Sequence, residues 1–294
     1  MLNFFKTILL FLIPIFSLFS NIGQQEVRLK DEDRNRPIEM MVWYPTKSKE
    51  LTNEGTVWMQ PDVAINGILE EKKHPLIILS HGWGGEKIEL IWLAEKLVEQ
   101  GYIVAAIDHY GNTWKDYSEE ISLDFSHRPK DISAALDHLT KDSPFSDFID
   151  LERIGFSGFS MGGLTGLWLA GGEIENVSYK DPRIRAFFLM APRGKDFSET
   201  SLQTISAPLS IVFGEEDKIL PVESHGMYIN RYTPKSILTI LKGPVGHPIF
   251  LNCPTDMGKT HLAKEIVEDH LSIDRSEMHE QISSMAINFF SENL

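Results

Sequence analysis

One hexapeptide, Gly158-Phe159-Ser160-Met161-Gly162-Gly163, carries the residue types that a nucleophilic turn needs. A serine held at a sharp strand-to-helix turn adopts an unfavourable backbone conformation, so the positions two before and two after it must have almost no side chain. Its hydroxyl then stands clear at the end of a sheet, and the next backbone N–H faces the same space. The flanks fit this arrangement. Arg153-Ile154-Gly155-Phe156 is strand-like, and Leu164-Thr165-Gly166-Leu167-Trp168-Leu169-Ala170 is helix-like. The chemistry such a turn serves is attack on an acyl carbon. Without partners it is a glycine-rich turn with an idle serine.

A hydroxyl becomes a good nucleophile only when a base takes its proton and an acid orients that base. In open parallel sheets such groups gather beyond the carboxyl ends of the strands. Polar residues just after each apolar run are therefore the candidates. After Pro75–Ser80 comes His81-Gly82-Trp83-Gly84-Gly85, whose glycines allow backbone N–H groups to face a developing oxyanion. The Trp83 N–H, with the Met161 N–H that follows the serine, would supply two donors. After Leu209–Phe213 comes Gly214-Glu215-Glu216-Asp217, and after Ser236–Leu241 comes Gly243-Pro244-Val245-Gly246-His247. The order Ser160, Asp217, His247 is the one expected of a strand-turn-helix nucleophile. His247 would take the serine proton and return it to the leaving group, and Asp217 would hold the imidazole and stabilise its charged form.

Rivals exist at each position. Glu215 and Glu216 compete with Asp217, which is preferred because Gly-x-x-Asp carries it past the turn. His81 and His109 follow strands but precede the serine, and suit the orientation of loops. His225, His261, His270 and His279 lie in helical or polar contexts and read as surface residues. No histidine pair shows the short spacing of a zinc motif, so neither metal nor cofactor is expected. Cys253 is the only cysteine, which excludes an intramolecular disulfide. It reads as a buried structural thiol rather than a second nucleophile.

The elements that must position these groups follow from hydrophobic period. Pro75–Ser80, Tyr102–Ile107, Arg153–Phe156, Ile184–Ala191, Leu209–Phe213 and Ser236–Leu241 are short apolar runs, each expected as a buried strand. Between them Leu90, Leu93, Ala94 and Leu97 repeat at helical spacing, Pro129 opens a helix with Ile132, Ala135, Leu136 and Leu139 on one face, and Met278, Ile282, Met285 and Phe289 mark a last helix. Alternation of this kind implies a mostly parallel sheet with helices on both faces. Glu26–Lys30 and Pro37–Tyr44 read as an antiparallel pair ahead of it. Two connections exceed ordinary length, His109–Arg128 and Pro248–Asp274, and are expected to shape a pocket or cover it.

Composition narrows the partners. The 294 residues are 42% hydrophobic and 24% charged, enough apolar material for a real core, and the α/β pattern accommodates residues 21–294 as one domain. A net charge of -14 argues against nucleic acid or anionic headgroups, whose phosphates would be repelled. Residues 1–20 differ from the rest. Lys6 is their only charge, and Thr7–Phe19 is almost wholly Ile, Leu and Phe, broken by Pro14. This reads as a signal peptide rather than a membrane span, and implies a secreted or periplasmic protein with no stable span after cleavage.

The same residues resemble the α/β-hydrolase superfamily. The closer resemblance is to the bacterial predicted dienelactone hydrolases, related to plasma-type platelet-activating-factor acetylhydrolases. It runs through Arg36-Pro37, Val42-Trp43-Tyr44-Pro45, Ser80-His81-Gly82, Asp108-His109-Tyr110-Gly111-Asn112-Thr113, Arg128-Pro129-Lys130-Asp131-Ile132, Gly246-His247 with Phe250-Leu251 and Cys253, and Asp274-Arg275 with His279. The resemblance implies a carboxylic ester hydrolase without a metal, with Ser160 as nucleophile, Asp217 as acid, His247 as base, and Trp83 and Met161 as oxyanion donors. Phe159 stands where many relatives carry histidine, and Pro248 where an aromatic is common. Dienelactone hydrolases proper use cysteine, so their substrate does not transfer. A short-acyl ester is the expected substrate, with a phospholipid or polyester as the alternative. A catalytically silent binding protein of the same fold is the contrasting reading. Oligomeric state is not legible.

Overall fold

Apolar runs covered on both faces make up the centre of this computed structural model, which describes residues 21–294 except 54. The expected leader, residues 1–20, lies outside the described residues. The parallel strands are β4 (His74–Ser80), β5 (Ile103–Asp108), β6 (Ile149–Phe159), β9 (Ala186–Met190), β10 (Leu209–Gly214) and β11 (Ser236–Leu241). Every residue of β5, β9 and β10 is buried, as continuous Val, Ile, Leu and Phe runs require when helices cover both faces. Ahead of them, β1 (Asn21–Asp31) and β2 (Arg36–Thr46) pair antiparallel, longer than their apolar cores suggested. A short strand β3 (Val63–Ile65), which no sequence pattern marked, joins the edge of β1. Among the described residues the order across the sheet is β11-β10-β9-β6-β4-β5-β2-β1-β3. A separate two-residue ribbon pairs β7 (Glu173–Ile174) with β8 (Val177–Ser178).

The helices are α1 (Ile91–Glu99), α2 (Glu119–Leu123), α3 (His127–Lys141), α4 (Met161–Ala170), α5 (Glu199–Gln203), α6 (Gly226–Tyr232), α7 (Asp256–His261), α8 (Lys264–Val267) and α9 (Arg275–Asn293). Helix α3 begins two residues before Pro129. The proline falls in the first turn, where its missing N–H has no intrahelical acceptor to lose. Helix α4 is buried on every side, directly behind Ser160. In α9 the covered face is Arg275, His279, Ile282, Ser283, Ala286 and Phe290, with Met278, Met285 and Phe289 only at its margins. The apolar period places the stripe one position off because buried polar side chains do not register in it.

Both long connections carry structure of their own. The stretch after β5 holds α2, N-capped by the Ser118 hydroxyl, and Thr113 and Asp116 close a turn over the Gly111 N–H. The stretch after His247 begins with a 3-10 turn, His247–Phe250, and continues through α7 and α8. Helix α7 is capped by Thr255, whose hydroxyl also donates to the Thr56 carbonyl and ties the segment to the loop before β3. Among the described residues, no helix is long and apolar enough to cross a membrane.

Candidate active site

Strand β6 and helix α4 meet at Ser160, whose backbone sits at φ 54 and ψ -109. Such a conformation costs a non-glycine residue about 1–3 kcal/mol, so the surroundings must over-determine it. They do so by contact. A Cβ on Gly158 would collide with the Gly162 carbonyl, and a Cβ on Gly162 would collide with the Ser80 carbonyl. The glycines of the hexapeptide are therefore required by close backbone approach, both within the turn and between this turn and the end of β4. The Ser160 N–H is held by the Met190 carbonyl at 2.9 Å.

Strands β10 and β11 deliver the acid and the histidine to the same rim. The Ser160 hydroxyl lies 3.0 Å from His247 Nε2. His247 Nδ1 donates to Asp217 Oδ2 at 2.6 Å. Asp217 Oδ1 in turn accepts the Ile219 N–H at 3.0 Å and the Leu220 N–H at 2.8 Å, which fixes the carboxylate plane. All three side chains are buried or nearly so. The two competing acids point elsewhere. Glu215 is exposed, and its carboxyl is held below the usual range by Lys242 and the Gly243 N–H. Glu216 is exposed as well. Phe159 lies under the site, its ring 4.7 Å from the His247 ring and 5.6 Å from Phe250.

The turn His81–Gly85 packs against the serine turn, since a Cβ on Gly162 would meet the His81 carbonyl and one on Gly82 the Phe159 ring. Neither the Trp83 nor the Met161 backbone N–H has an acceptor among the described residues. Behind the turn lies a buried polar network that spacing alone did not reveal. Arg128 donates to the His81 carbonyl and to the Gly82 carbonyl, each at 2.8 Å, and to Asn112 Oδ1 at 2.7 Å. Glu89 accepts the Gly82 N–H at 2.9 Å. Burial pushes Glu89 up to about 7 and Arg128 down to about 9, against the pull of each on the other's charge.

The network contains a second serine, histidine and aspartate in line. Ser80 lies 2.8 Å from His109 Nε2, and His109 Nδ1 donates to Asp131 Oδ2 at 3.1 Å. Burial would raise Asp131, but the bonds from His109 and Arg36 outweigh it and hold the carboxyl at about 2. Ser80 is 0% exposed, so no ester reaches it. His81 and His109 thus orient loops, as their place before the serine suggested.

With this geometry in view, comparison with known proteins is direct. The sequence matches the family described as "PETase: PET hydrolase-like" over residues 70–264. The chain belongs to the PET hydrolase-like family. It is similar to the cutinase est1 of Thermobifida alba, 29% identical over 169 residues, which are 57% of this chain and 50% of that protein. It is also similar to the bis(hydroxyethyl) terephthalate hydrolase of Streptomyces coelicolor, 31% identical over 149 residues, 51% of this chain and 42% of that protein. The chain therefore spans about half the length of the curated relatives it matches. A ferulic acid esterase from Streptomyces cinnamoneus superposes with a TM-score of 0.71 over 96% of this chain and 92% of that one, at 20% identity. That likeness shows the fold, and the α/β-hydrolase superfamily is the one the sequence resembled.

Two histidines that read as surface residues are instead buried in this PET hydrolase-like chain. His225 Nδ1 accepts the Gly194 N–H at 3.2 Å and so braces the loop after β9. His279 stacks on Trp92 at 3.9 Å and donates to the Ile249 carbonyl at 2.9 Å, pinning the turn that carries His247. Helical context was a poor guide to their exposure because each serves a loop from another part of the chain. His261 and His270 are exposed. Cys253 is half-buried, 3.8 Å from His279 Nδ1, and burial pushes its thiol up, away from the reactive thiolate. Among the described residues no three His, Cys, Asp or Glu side chains gather where a metal ion could sit.

Proposed function

We propose that this protein is a serine carboxylic ester hydrolase acting through an acyl-enzyme on Ser160. The observation that carries the reading is the contact of Ser160 with His247 Nε2, backed by Asp217. Membership of the PET hydrolase-like family supports it. In this mechanism His247 accepts the hydroxyl proton as Ser160 Oγ bonds to the acyl carbon, and the carbonyl electron pair moves onto oxygen. The Trp83 and Met161 N–H groups face that oxyanion. Collapse expels the alcohol, which takes its proton from His247. A water then repeats the sequence in reverse and frees the acid. Asp217 keeps the imidazole in the productive tautomer throughout.

A short-acyl ester remains the favoured substrate. A polyester or phospholipid surface is the second reading, and a specific observation favours it. Trp83, Tyr117 and Leu123 are exposed, and the Trp83 ring meets Tyr117 at 6.1 Å and Phe125 at 6.2 Å. Relatives named as cutinases and as a bis(hydroxyethyl) terephthalate hydrolase support this second reading. Rates on soluble p-nitrophenyl esters set beside rates on films and micelles separate the two. Export through residues 1–20 belongs to the same proposal, and the N-terminal mass of the exported protein tests it.

Replacing Ser160 with alanine is expected to lower turnover of a short p-nitrophenyl ester by about a million-fold and to abolish labelling by a fluorophosphonate. Unchanged turnover in that variant defeats the proposal. A folded wild-type protein that fails to take the fluorophosphonate favours the silent binding protein instead.

A further inference from the structure

We infer that Arg128 is the positioning residue of the oxyanion-binding turn: its guanidinium holds the Gly82–Trp83 peptide with the carbonyl inward and the Trp83 N–H toward Ser160. The inference rests on the ester-hydrolase reading above and deepens it.

A trans peptide sets its C=O and N–H antiparallel, and this bond is trans. Whatever grips the Gly82 carbonyl therefore aims the Trp83 N–H. Two side chains grip it, beside a long bond from the Gly85 N–H at 3.5 Å. Arg128 Nη2 donates at 2.8 Å, and His81 Nδ1 donates at 2.7 Å. The His81 tautomer follows from its other nitrogen, which accepts the His109 N–H at 3.1 Å and so leaves the proton on Nδ1. Arg128 Nη1 takes the preceding carbonyl, His81, at 2.8 Å, while Glu89 takes the Gly82 N–H at 2.9 Å. Of the polar groups of these two peptides, the Trp83 N–H alone is unengaged among the described residues.

The grip is needed because the turn is soft. Gly82, Gly84 and Gly85 leave it few steric restraints, and Gly84 already sits at φ +66. A flip of the Gly82–Trp83 peptide would present a carbonyl oxygen to the developing oxyanion and repel it. A buried cation on the inner side makes that flip costly, since charge-assisted hydrogen bonds are roughly twice as strong as neutral ones. The same cation draws electron density toward the carbonyl and leaves the N–H a stronger donor. Arg128 is itself 4% exposed and oriented by Asn112 Oδ1 at 2.7 Å. Its planar fork serves two carbonyls at once in a fixed geometry that the compact ammonium of lysine does not reproduce.

The test is steady-state kinetics and boronic acid inhibition on the purified protein, with melting temperature as the measure of folding. Boronic acids form a tetrahedral, anionic adduct on a serine and so read the oxyanion site. In Arg128→Lys, kcat is expected to fall about 10²- to 10³-fold with KM within about two-fold, the size of losing one oxyanion donor. Boronate affinity is expected to weaken by a similar factor. Asn112→Ala keeps the charge and removes the acceptor that orients Nη2, together with the Nδ2 bond to Ser122 Oγ. It is the milder probe if Arg128→Lys does not fold, and is expected to show the same signature at about ten-fold. A folded Arg128→Lys, or failing that a folded Asn112→Ala, with kcat and boronate affinity within about three-fold of wild type overturns the inference. So does a loss carried by KM alone. If Ser160→Ala keeps wild-type turnover, the ester-hydrolase reading falls and this inference falls with it. If Ser160→Ala is inactive and the Arg128 variant is normal, only this inference falls.

Discussion

Ser160 and Ser80 have the same kinds of partner: each lies against Nε2 of a histidine whose Nδ1 meets an aspartate. Their environments differ. Ser80 is closed off within β4, and burial together with the Arg128 charge lowers His109 to about 4, too weak a base at neutral pH. Ser160 stands at a strained turn and is held against His247 and Asp217. The choice of acid is also a residue-scale question with a measurable answer. Asp217→Ala is expected to cost on the order of ten-thousand-fold in kcat, by analogy with other triads. Glu215→Gln, which touches only Lys242 and the Gly243 N–H at the surface, is expected to stay within a few-fold. Kinetics of the two variants side by side decide between the acids.

The elements that matter most are the end of β4 and the start of α4, because their backbones touch. Gly162 has no room for a Cβ against the Ser80 carbonyl, and that carbonyl belongs to a central strand that cannot yield. Gly162→Ala is therefore expected to push the Ser160 turn away from the end of β4 and the His81–Gly85 turn that follows it. Overpacking of this kind costs roughly 1–3 kcal/mol of stability. The loss of kcat should exceed what the lower stability explains, since the two turns must stay in register for the reaction. Melting temperature and kcat measured on the same preparation check both halves. A variant with lowered stability and normal kcat shows that the spacing of the turns does not limit catalysis.

At the scale of the whole molecule, several imidazoles are folded into the interior. Burial lowers His109 and His279 to about 4, and lowers His81 well below the ordinary imidazole value. Their unfolded value is about 6.5, so between about 4 and 6.5 the unfolded chain binds more protons than the folded one. Stability is then lost as pH falls through that window, by on the order of 3 kcal/mol for each of His109 and His279 at its acid end. Glu89 works the other way. Raised to about 7 by burial, it favours the folded state on acidification and offsets about one histidine's share. The net expectation is a urea midpoint that drops between pH 6.5 and 4, and drops less in His279→Gln. A midpoint that climbs on acidification contradicts it.

The strand cores, the hexapeptide and the order Ser160, Asp217, His247 were legible in the sequence because they obey short-range rules, whereas strand ends were not: the run Arg153–Phe156 is the centre of a strand from Ile149 to Phe159. Period sets what is buried in a strand, and a strained turn admits only glycine at fixed offsets. The convergence itself spans 87 residues from Ser160 to His247 and 30 from Asp217 to His247, and depends on strand order. The sequence preferred Asp217 to its glutamate neighbours by its place past the turn, but only the tertiary structure brought it against His247, buried His225 and His279, and set Arg128 behind a turn 46 residues before it. Burial and charge pairing are properties of neighbours in space. A lone arginine or histidine in a sequence carries no mark of the carbonyls it will meet once the sheet has closed around it.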